Sequence, residues 1–464
     1  MKKIILSSVV SALVLLTGCG GSGSDTVVSN ANTISKAGSL VPYTVLDNTI
    51  DDGATGNGKI EIRNGGYGSA ATAHPTNINQ FYALTDRGPN ATYTGADGKG
   101  KMFPTPTYTP RIGLFEIKTD GSISLIQDIL LKDTSGNLIT GLPNSSALGG
   151  TGETPYDKDG NTIHDNNGNI KVDNFGLDGE GLVALKDGTF WVSDEYGPHI
   201  VHFDATGKEI GRINAFADDS RNIFTLPAEF ANRRANRGME GLAITPDQKT
   251  LVGIMQSTMY NPSSAVKSLD ITRIVTVNLE NGTIKQYLYK QEKAANSNSE
   301  IVALDNDTFI IIERDGSFLN GGPKAANSKA QKQIFKVQLS TGTELESIPL
   351  TTGMEQDTTL GLTINGETLE EVVLNSTWTG LEVKGIYPIQ KKLIVDMVNE
   401  VGYSHDKMEG LIVFNSTTLG ILNDDDFATW STSGVLEQKY LNSEHTQIDQ
   451  NTLYIVKDVN LSTY

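Results

Sequence analysis

Cysteine is almost missing from this chain: Cys19 is the single one in 464 residues. No intramolecular disulfide can form, and no cysteine is left for catalysis or a zinc-thiolate centre. Histidine is scarce as well, with six in all and no His-x-x-x-His pair, which disfavours zinc. Positive charge is in deficit, 37 Lys and Arg against 55 Asp and Glu, for a net charge of −18. That balance argues against nucleic-acid binding; it suits either cation binding or the general acidity of exported proteins. There is no Gly-x-Ser-x-Gly elbow and no phosphate-cradling Gly-x-x-x-x-Gly-Lys-Ser/Thr loop, which disfavours a serine esterase of the α/β-hydrolase kind and a nucleotide hydrolase. Helical periodicity is rare. Only residues 227–236 and 325–332 read as short helices.

Long apolar runs are confined to the start. Met1-Lys2-Lys3 is followed by an apolar stretch from Ile4 to Leu16 and then by Thr17-Gly18-Cys19. This order is that of a secretory signal peptide, and the stretch is short of the ~20 residues that span a bilayer. Leu16-Thr17-Gly18-Cys19 is similar to the bacterial lipobox, in which the cysteine is lipidated and becomes the mature N-terminus. The sequence thus divides into a lipoprotein signal peptide (1–18), a lipidated Cys19 with a Gly/Ser-rich tether (19–39) and a folded domain (40–464). Gly20, rather than Asp, after the cysteine points to the outer membrane, facing periplasm or exterior. The membrane contact expected is the lipid alone, and the sequence names no protein partner.

What the chain does have is glycine, 48 of them, punctuating short β-type runs such as Thr189–Val192 and Thr308–Ile312. Asp120-Gly121, Asp187-Gly188 and Asn281-Gly282 are hairpin turn pairs, because glycine tolerates the positive φ of tight turns. The body is all-β. It also repeats: Glu180-Gly181-Leu182 is echoed at Glu240-Gly241-Leu242, Glu300-Ile301-Val302 and Glu409-Gly410-Leu411, at spacings of 60, 60 and 109 residues. The last gap holds two units or one with an insertion. Each glutamate precedes a turn and a second β run, and most of those runs end in acids: Asp194-Glu195, Glu313-Arg314-Asp315 and Asp424-Asp425-Asp426, with Asp86 ending an earlier one. About four strands per unit, repeated five to seven times with six favoured, predicts a β-propeller.

In an antiparallel hairpin the start of the first strand and the end of the second lie together. Repeating such hairpins about an axis gathers the carboxylates at one mouth of the channel, where they cannot all stay ionised without cations. The competing reading is that a carboxylate starting an inner strand accepts backbone N–H bonds from a neighbouring blade.

Thr85-Asp86-Arg87-Gly88-Pro89-Asn90, Asp178-Gly179-Glu180-Gly181, Ser193-Asp194-Glu195-Tyr196-Gly197-Pro198 and Asn236-Arg237-Gly238-Met239-Glu240-Gly241 resemble the phytase-like domain family, "esterase-like activity of phytase". Glu313-Arg314-Asp315, Lys407-Met408-Glu409-Gly410 and Asn423-Asp424-Asp425-Asp426-Phe427 extend the resemblance over residues 60–430. It implies a propeller-like fold with many acidic positions and hydrolysis of phosphoric esters. The chain departs from that pattern at Asp425, where Asn is expected; this adds a charge and leaves the ligand count open.

Hard divalent cations take oxygen ligands, and Ca²⁺ accepts six to eight. Asp86, Glu180, Glu195, Glu240, Glu300, Glu313, Glu409 and Asp424 are the candidate ligands, with Ca²⁺ the favoured ion. A cation there can hold a phosphate ester and activate water. Arg87, Arg237 and Arg314 sit inside acidic motifs, where each either grips phosphate oxygens or pairs with the acids. His199 is either a general acid toward the leaving group or a solvated loop histidine. The substrate class is a small phosphorylated molecule. A metal-stabilised binding propeller without catalysis and a calcium-dependent lactonase remain as alternatives. Asp157–Asn161 and Asp165–Asn169 resemble the start of a calcium loop but place glycine fourth rather than sixth, and read as successive hairpin turns in a surface insertion between Leu142 and Asn174.

Overall fold

A computed structural model describes residues 38–56 and 58–462, so the signal segment, Cys19 and nearly all of the tether lie outside the described residues. Short alternating runs separated by Gly, Asn and Asp turns fold into antiparallel meanders, as their period demands. Sheet 1 comprises Ala70–Ala73, Gln80–Leu84, Arg111–Ile117 and Ile123–Leu130; sheet 2 comprises Gly179–Ala184, Phe190–Asp194, His199–Phe203 and Glu209–Asn214, with Asn222–Thr225 added in parallel. Sheet 3 is Met239–Ile244, Thr250–Met255, Ile271–Asn278 and Ile284–Lys290, and sheet 4 is Ser297–Ala303, Thr308–Arg314, Lys332–Gln338 and Gln390–Asp396. Sheet 5 combines both ends of the described chain: Gly410–Asn415, Thr418–Leu422 and Thr452–Val456, closed by Ser39–Leu40 on the outer edge.

The first strands of the five sheets neighbour one another in a closed circuit, 1-2-3-4-5-1. Each junction is filled by its own apolar cluster. Leu84 and Ile112 meet Leu182 and Val192 between sheets 1 and 2; Trp191 and Ile213 meet Leu242 and Val275 between sheets 2 and 3. Ile254 meets Ile311, Ile312 meets Leu411, and Phe81 meets Leu453 at the remaining three junctions. The core is therefore a ring of inter-sheet contacts, which is a β-propeller architecture. Among the described residues five such sheets are found, within the expected range of five to seven but one fewer than the six favoured. The 109-residue interval between Glu300 and Glu409 holds one sheet with an insertion.

That insertion contains Leu369–Glu382, the longest helix of the described residues, which the sequence reading missed. Its start was legible: Thr368 accepts from the Glu371 backbone N–H while the Glu371 carboxylate accepts from the Thr368 N–H, a capping box. Of the two short helices expected, residues 227–236 contain only the 3₁₀ turn Ala228–Asn232, and residues 325–332 are not helical. No helix among the described residues is long and apolar enough to cross a membrane.

Two further insertions frame the site. The hairpin Ala91–Gly95/Gly98–Met102 leaves sheet 1 and takes Thr154–Tyr156 as a third, parallel strand. The hairpin Thr429–Thr432/Val435–Gln438 leaves sheet 5 and meets the first, with the Thr92 N–H donating to Ser431 Oγ at 3.0 Å. In the insertion between Leu142 and Asn174, Asp157 Oδ1 and Asp165 Oδ1 each accept two backbone N–H bonds from their own loops. Those loops are hairpin turns, as their glycine spacing indicates.

Candidate functional site

The glutamates that begin inner strands are aimed by β-bulges. Gly179 pairs with Asp194 and Gly181 with Ser193, so Glu180 is the extra residue between them. Glu240 is likewise extra between the Met239–Met255 and Gly241–Ile254 pairs. A bulge turns its unpaired residue out of the normal alternation, here toward the axis. In sheet 4 the bulge lies between Asn298, opposite Glu313, and Glu300, opposite Ile312, so the extra residue is Ser299. Glu409 occupies the same place before Gly410, which pairs with Leu422; Ser69 does so before Ala70, which pairs with Leu84. The five equivalent positions are thus Ser69, Glu180, Glu240, Ser299 and Glu409. At the far ends of the partner strands the corresponding residues are Asp86, Glu195, Gln256, Arg314 and Asp424.

Glu300 and Glu313 are each one place out of this register, and one place reverses the direction of a strand side chain. Glu300 Oε1 accepts from the backbone N–H groups of Leu242 and Ile301, so it ties sheet 4 to sheet 3. Glu313 accepts from Tyr289 Oη, the Glu292 N–H and Asn296 Nδ2, and pairs with Lys391 at 2.8 Å. Neither lines the cavity.

The cavity at the mouth of the ring has a volume of about 390 Å³. Asp86, Glu180, Glu195, Glu240 and Glu409 line it, as do Arg87, Arg237 and Arg314. The sequence reading missed Asp178, Asp406, Asp426, Gln256, Lys101, Lys324, Lys407 and Trp430, which also line it. Eight carboxylates and six cationic side chains therefore share one space, a mixed site rather than a purely acidic one. Asp424 stands behind it, 2.5 Å from Lys407 Nζ.

Asp86, Asp178 and Glu180 each place one carboxylate oxygen within 4.8 Å of the others, and all three are buried. Among the described residues neither Asp178 oxygen has a hydrogen-bond donor; Arg87 Nε lies 3.4 Å from Oδ2. An all-oxygen donor set with orphaned lone pairs fits a hard divalent cation. Burial, then repulsion from Asp424 and Asp178, pushes Asp86 well above the usual carboxylate range. Burial, then repulsion from Glu240 and Glu409, does the same to Glu180. Glu195 and Glu240 bracket the Gln256 amide, which donates to both at 2.5 and 2.7 Å. Burial, then the Glu240 carboxylate, pushes Glu195 well above the usual range, which favours its protonated form.

The other wall is built on strained backbone. Asp426, Phe427 and Ala428 have φ of 49°, 57° and 61°, three successive non-glycine residues in the left-handed region, where each costs about 1–3 kcal/mol. The turn is held by the Asp425 carboxylate accepting from the Phe427 N–H, by the buried Phe427 ring against Tyr108, and by Lys407 and Lys439 on the Asp426 carboxylate. Asp425 also accepts from the Gly66 and Asn451 N–H groups, so the residue that departs from the family pattern braces the turn rather than adding a ligand. Burial, then Asp449, pushes it up to about 8.

His199 is fully buried beside the cavity rather than in it, with one ring nitrogen 3.1 Å from Asn144 Oδ1. Burial, then Arg212, depresses its pKa well below the ordinary 6.5. The folded state thus refuses a proton that the unfolded chain takes up, so its stability is whole above pH 6.5 and falls on acidification. In urea unfolding, His199→Gln is expected to lose less stability than wild type between about pH 6.5 and 5; parallel pH profiles would contradict this.

Fold and site together define a propeller whose axial mouth carries a mixed acidic and cationic cavity with a carboxylate cluster suited to a cation. Residues 62–427 match the family described as "Esterase-like activity of phytase", and the chain belongs to that phytase-like family. An uncharacterized secreted protein of Arthroderma benhamiae is 29% identical over 247 residues, 42% of this chain; the match spans about half of that relative, 46% of its length. Among solved structures, the periplasmic gluconolactonase of Pseudomonas aeruginosa is 11% identical, covering 90% of this chain and 99% of its own, with a TM-score of 0.30. The PQQ-bound aldose sugar dehydrogenase of Streptomyces coelicolor is 8% identical over 89% and 98% of the two chains, with a TM-score of 0.31.

Proposed function

We propose that the protein is an exported hydrolase of phosphoric esters that depends on a divalent cation, Ca²⁺ for preference. The observation that carries this is the Asp86–Asp178–Glu180 cluster, with unsatisfied carboxylate oxygens, in one cavity with guanidinium and ammonium groups. Bound there, a cation supplies Lewis acidity toward a phosphoryl oxygen. The chain's own residues do the rest. Arg87, paired with Glu153 and Asp178, and Arg314, paired with Glu409, fix the acids in place. Glu195, whose protonated form burial and the neighbouring Glu240 favour, is the candidate general acid toward the leaving oxygen. The sheet 1 and sheet 5 hairpins wall the mouth on one side.

The test is a panel of phosphomonoester, phosphodiester, carboxylic ester and lactone, each with Ca²⁺ and with excess chelator. Calcium-dependent turnover of a phosphoric ester is the expected result. Turnover of the lactone alone would replace this reading by a lactonase, and no turnover of any would leave a metal-stabilised binding propeller.

Export and anchoring rest on residues 1–19. Cys19→Ser is expected to move the protein from the membrane to the soluble fraction, read by fractionation; unchanged membrane association would count against a lipid anchor.

A further inference from the structure

The six cationic side chains of the cavity are not equivalent. Arg87, Arg314 and Lys407 each lie within 4.0 Å of at least one carboxylate: Arg87 at 3.3 Å from Glu153, Arg314 against Glu409, and Lys407 at 2.7 Å from Asp426. Lys324 is exposed and donates to the Gly316 carbonyl at 3.2 Å, over the face of Trp430. Lys101 and Arg237 differ from all of these. Among the described residues Lys101 Nζ has neither a hydrogen bond nor an ion pair, and the Arg237 side chain reaches only Ser297 Oγ, at 3.4 Å.

Neither residue is loosely tethered. Lys101 lies in the middle strand of its small sheet, its backbone registered against Thr92 on one edge and Pro155 on the other. The Arg237 N–H donates to the Arg234 carbonyl at 3.0 Å, and the next residue, Gly238, packs so closely that a Cβ there would sit 2.6 Å from the Glu195 carbonyl oxygen. Both side chains are half-buried, and a partly desolvated cation held by a fixed backbone beside no carboxylate is left free to take an anion from the cavity. Burial, then Arg87, lowers the Lys101 pKa; Glu153, Asp178 and Asp426 favour its charge from beyond 4.0 Å. Both cations face the space in which Asp86, Asp178 and Glu180 converge, Lys101 from the sheet 1 insertion and Arg237 from the loop into sheet 3, with sheet 2 between them in the ring.

We propose that Lys101 and Arg237 are the anion-receiving residues of this cavity, binding the terminal oxygens of a phosphate-type anion from two sides, while Arg87 and Arg314 serve to position carboxylates. The choice of phosphate as the anion rests on the phosphoric-ester reading; the assignment of the two residues does not.

The calcium-loaded full chain is titrated calorimetrically with inorganic phosphate and, separately, with gluconate. A hydrogen bond to a charged group is worth about 1.5–3 kcal/mol, so Lys101→Met and Arg237→Met should each raise the phosphate Kd about tenfold or more, with Lys101→Arg close to wild type. Calcium affinity of Lys101→Met should be no weaker than wild type, since a nearby positive charge is removed, which separates anion binding from loss of the metal. Phosphate binding as tight as wild type in both methionine variants would overturn the assignment, as would loss of calcium together with phosphate, or a wild type that binds neither anion. Should wild type bind gluconate but not phosphate, and Lys101→Met lose it, the assignment stands and the phosphoric-ester reading falls.

Discussion

Lys439→Met is expected to lower the stability of the protein by about 3–5 kcal/mol in urea unfolding, the range for removing one partner of a buried charge network. Lys439 is fully buried, and its ammonium lies 2.8 Å from Asp406, 2.6 Å from Asp426 and 3.4 Å from Asp449. Asp449 keeps His405 at 2.7 Å and Asp426 keeps Lys407 at 2.7 Å, but Asp406 has no other cation within 4.0 Å among the described residues. Methionine fills the space and leaves the carboxylates buried without enough positive charge. It also removes one of the two clamps on the left-handed turn at Asp426–Ala428, so the wall carrying Trp430 should loosen and the indole emission should shift. A loss below about 1 kcal/mol would mean that Lys407 and the remaining hydrogen bonds suffice to hold the cluster.

Glu180→Gln is expected to weaken Ca²⁺ binding by at least about 10- to 100-fold in calorimetry, since changes merely to the partners of metal ligands already cost that much. Glu180 accepts no hydrogen bond from a described residue and has no cation within 4.0 Å, so the amide keeps its shape and disturbs no existing pair. Ligand binding to the folded state stabilises it by about 2.7 kcal/mol at a hundredfold excess over Kd. Wild type should therefore melt higher with Ca²⁺ than in chelator, the variant should show little of that gain, and in chelator the variant should melt no lower than wild type. Equal calcium-induced shifts in both proteins would remove Glu180 from the cation site.

The architecture was legible because its signals are local and repeated. Turn pairs such as Asp187-Gly188 and the sixty-residue echo of Glu180 at Glu240 report hairpins and their recurrence without any knowledge of contacts. Lining up glutamates by eye failed at sheet 4 for a definable reason. Asn298-Ser299-Glu300 carries its acid one residue late, and the bulge that decides which residue faces the axis leaves no mark in the sequence. Asp178 was visible in its motif but passed over beside Glu180. Lys101 had no signal at all, since it lies in an insertion outside the repeat and reaches the cavity only because that hairpin folds back against the one from sheet 5. His199 was misjudged because sequence does not report burial: it begins a strand and is covered by Asn144 from a distant insertion.

The account turns on one measurement, the rate of phosphate release from a phosphomonoester by the full chain as free Ca²⁺ is raised from chelated to saturating. The prediction is no release in excess chelator, a saturable rise whose midpoint matches the calorimetric Kd, and a midpoint displaced to higher Ca²⁺ in Glu180→Gln. A rate that is the same with and without chelator, or a midpoint that Glu180→Gln leaves in place, would contradict a cation site at Asp86, Asp178 and Glu180 as the seat of the activity.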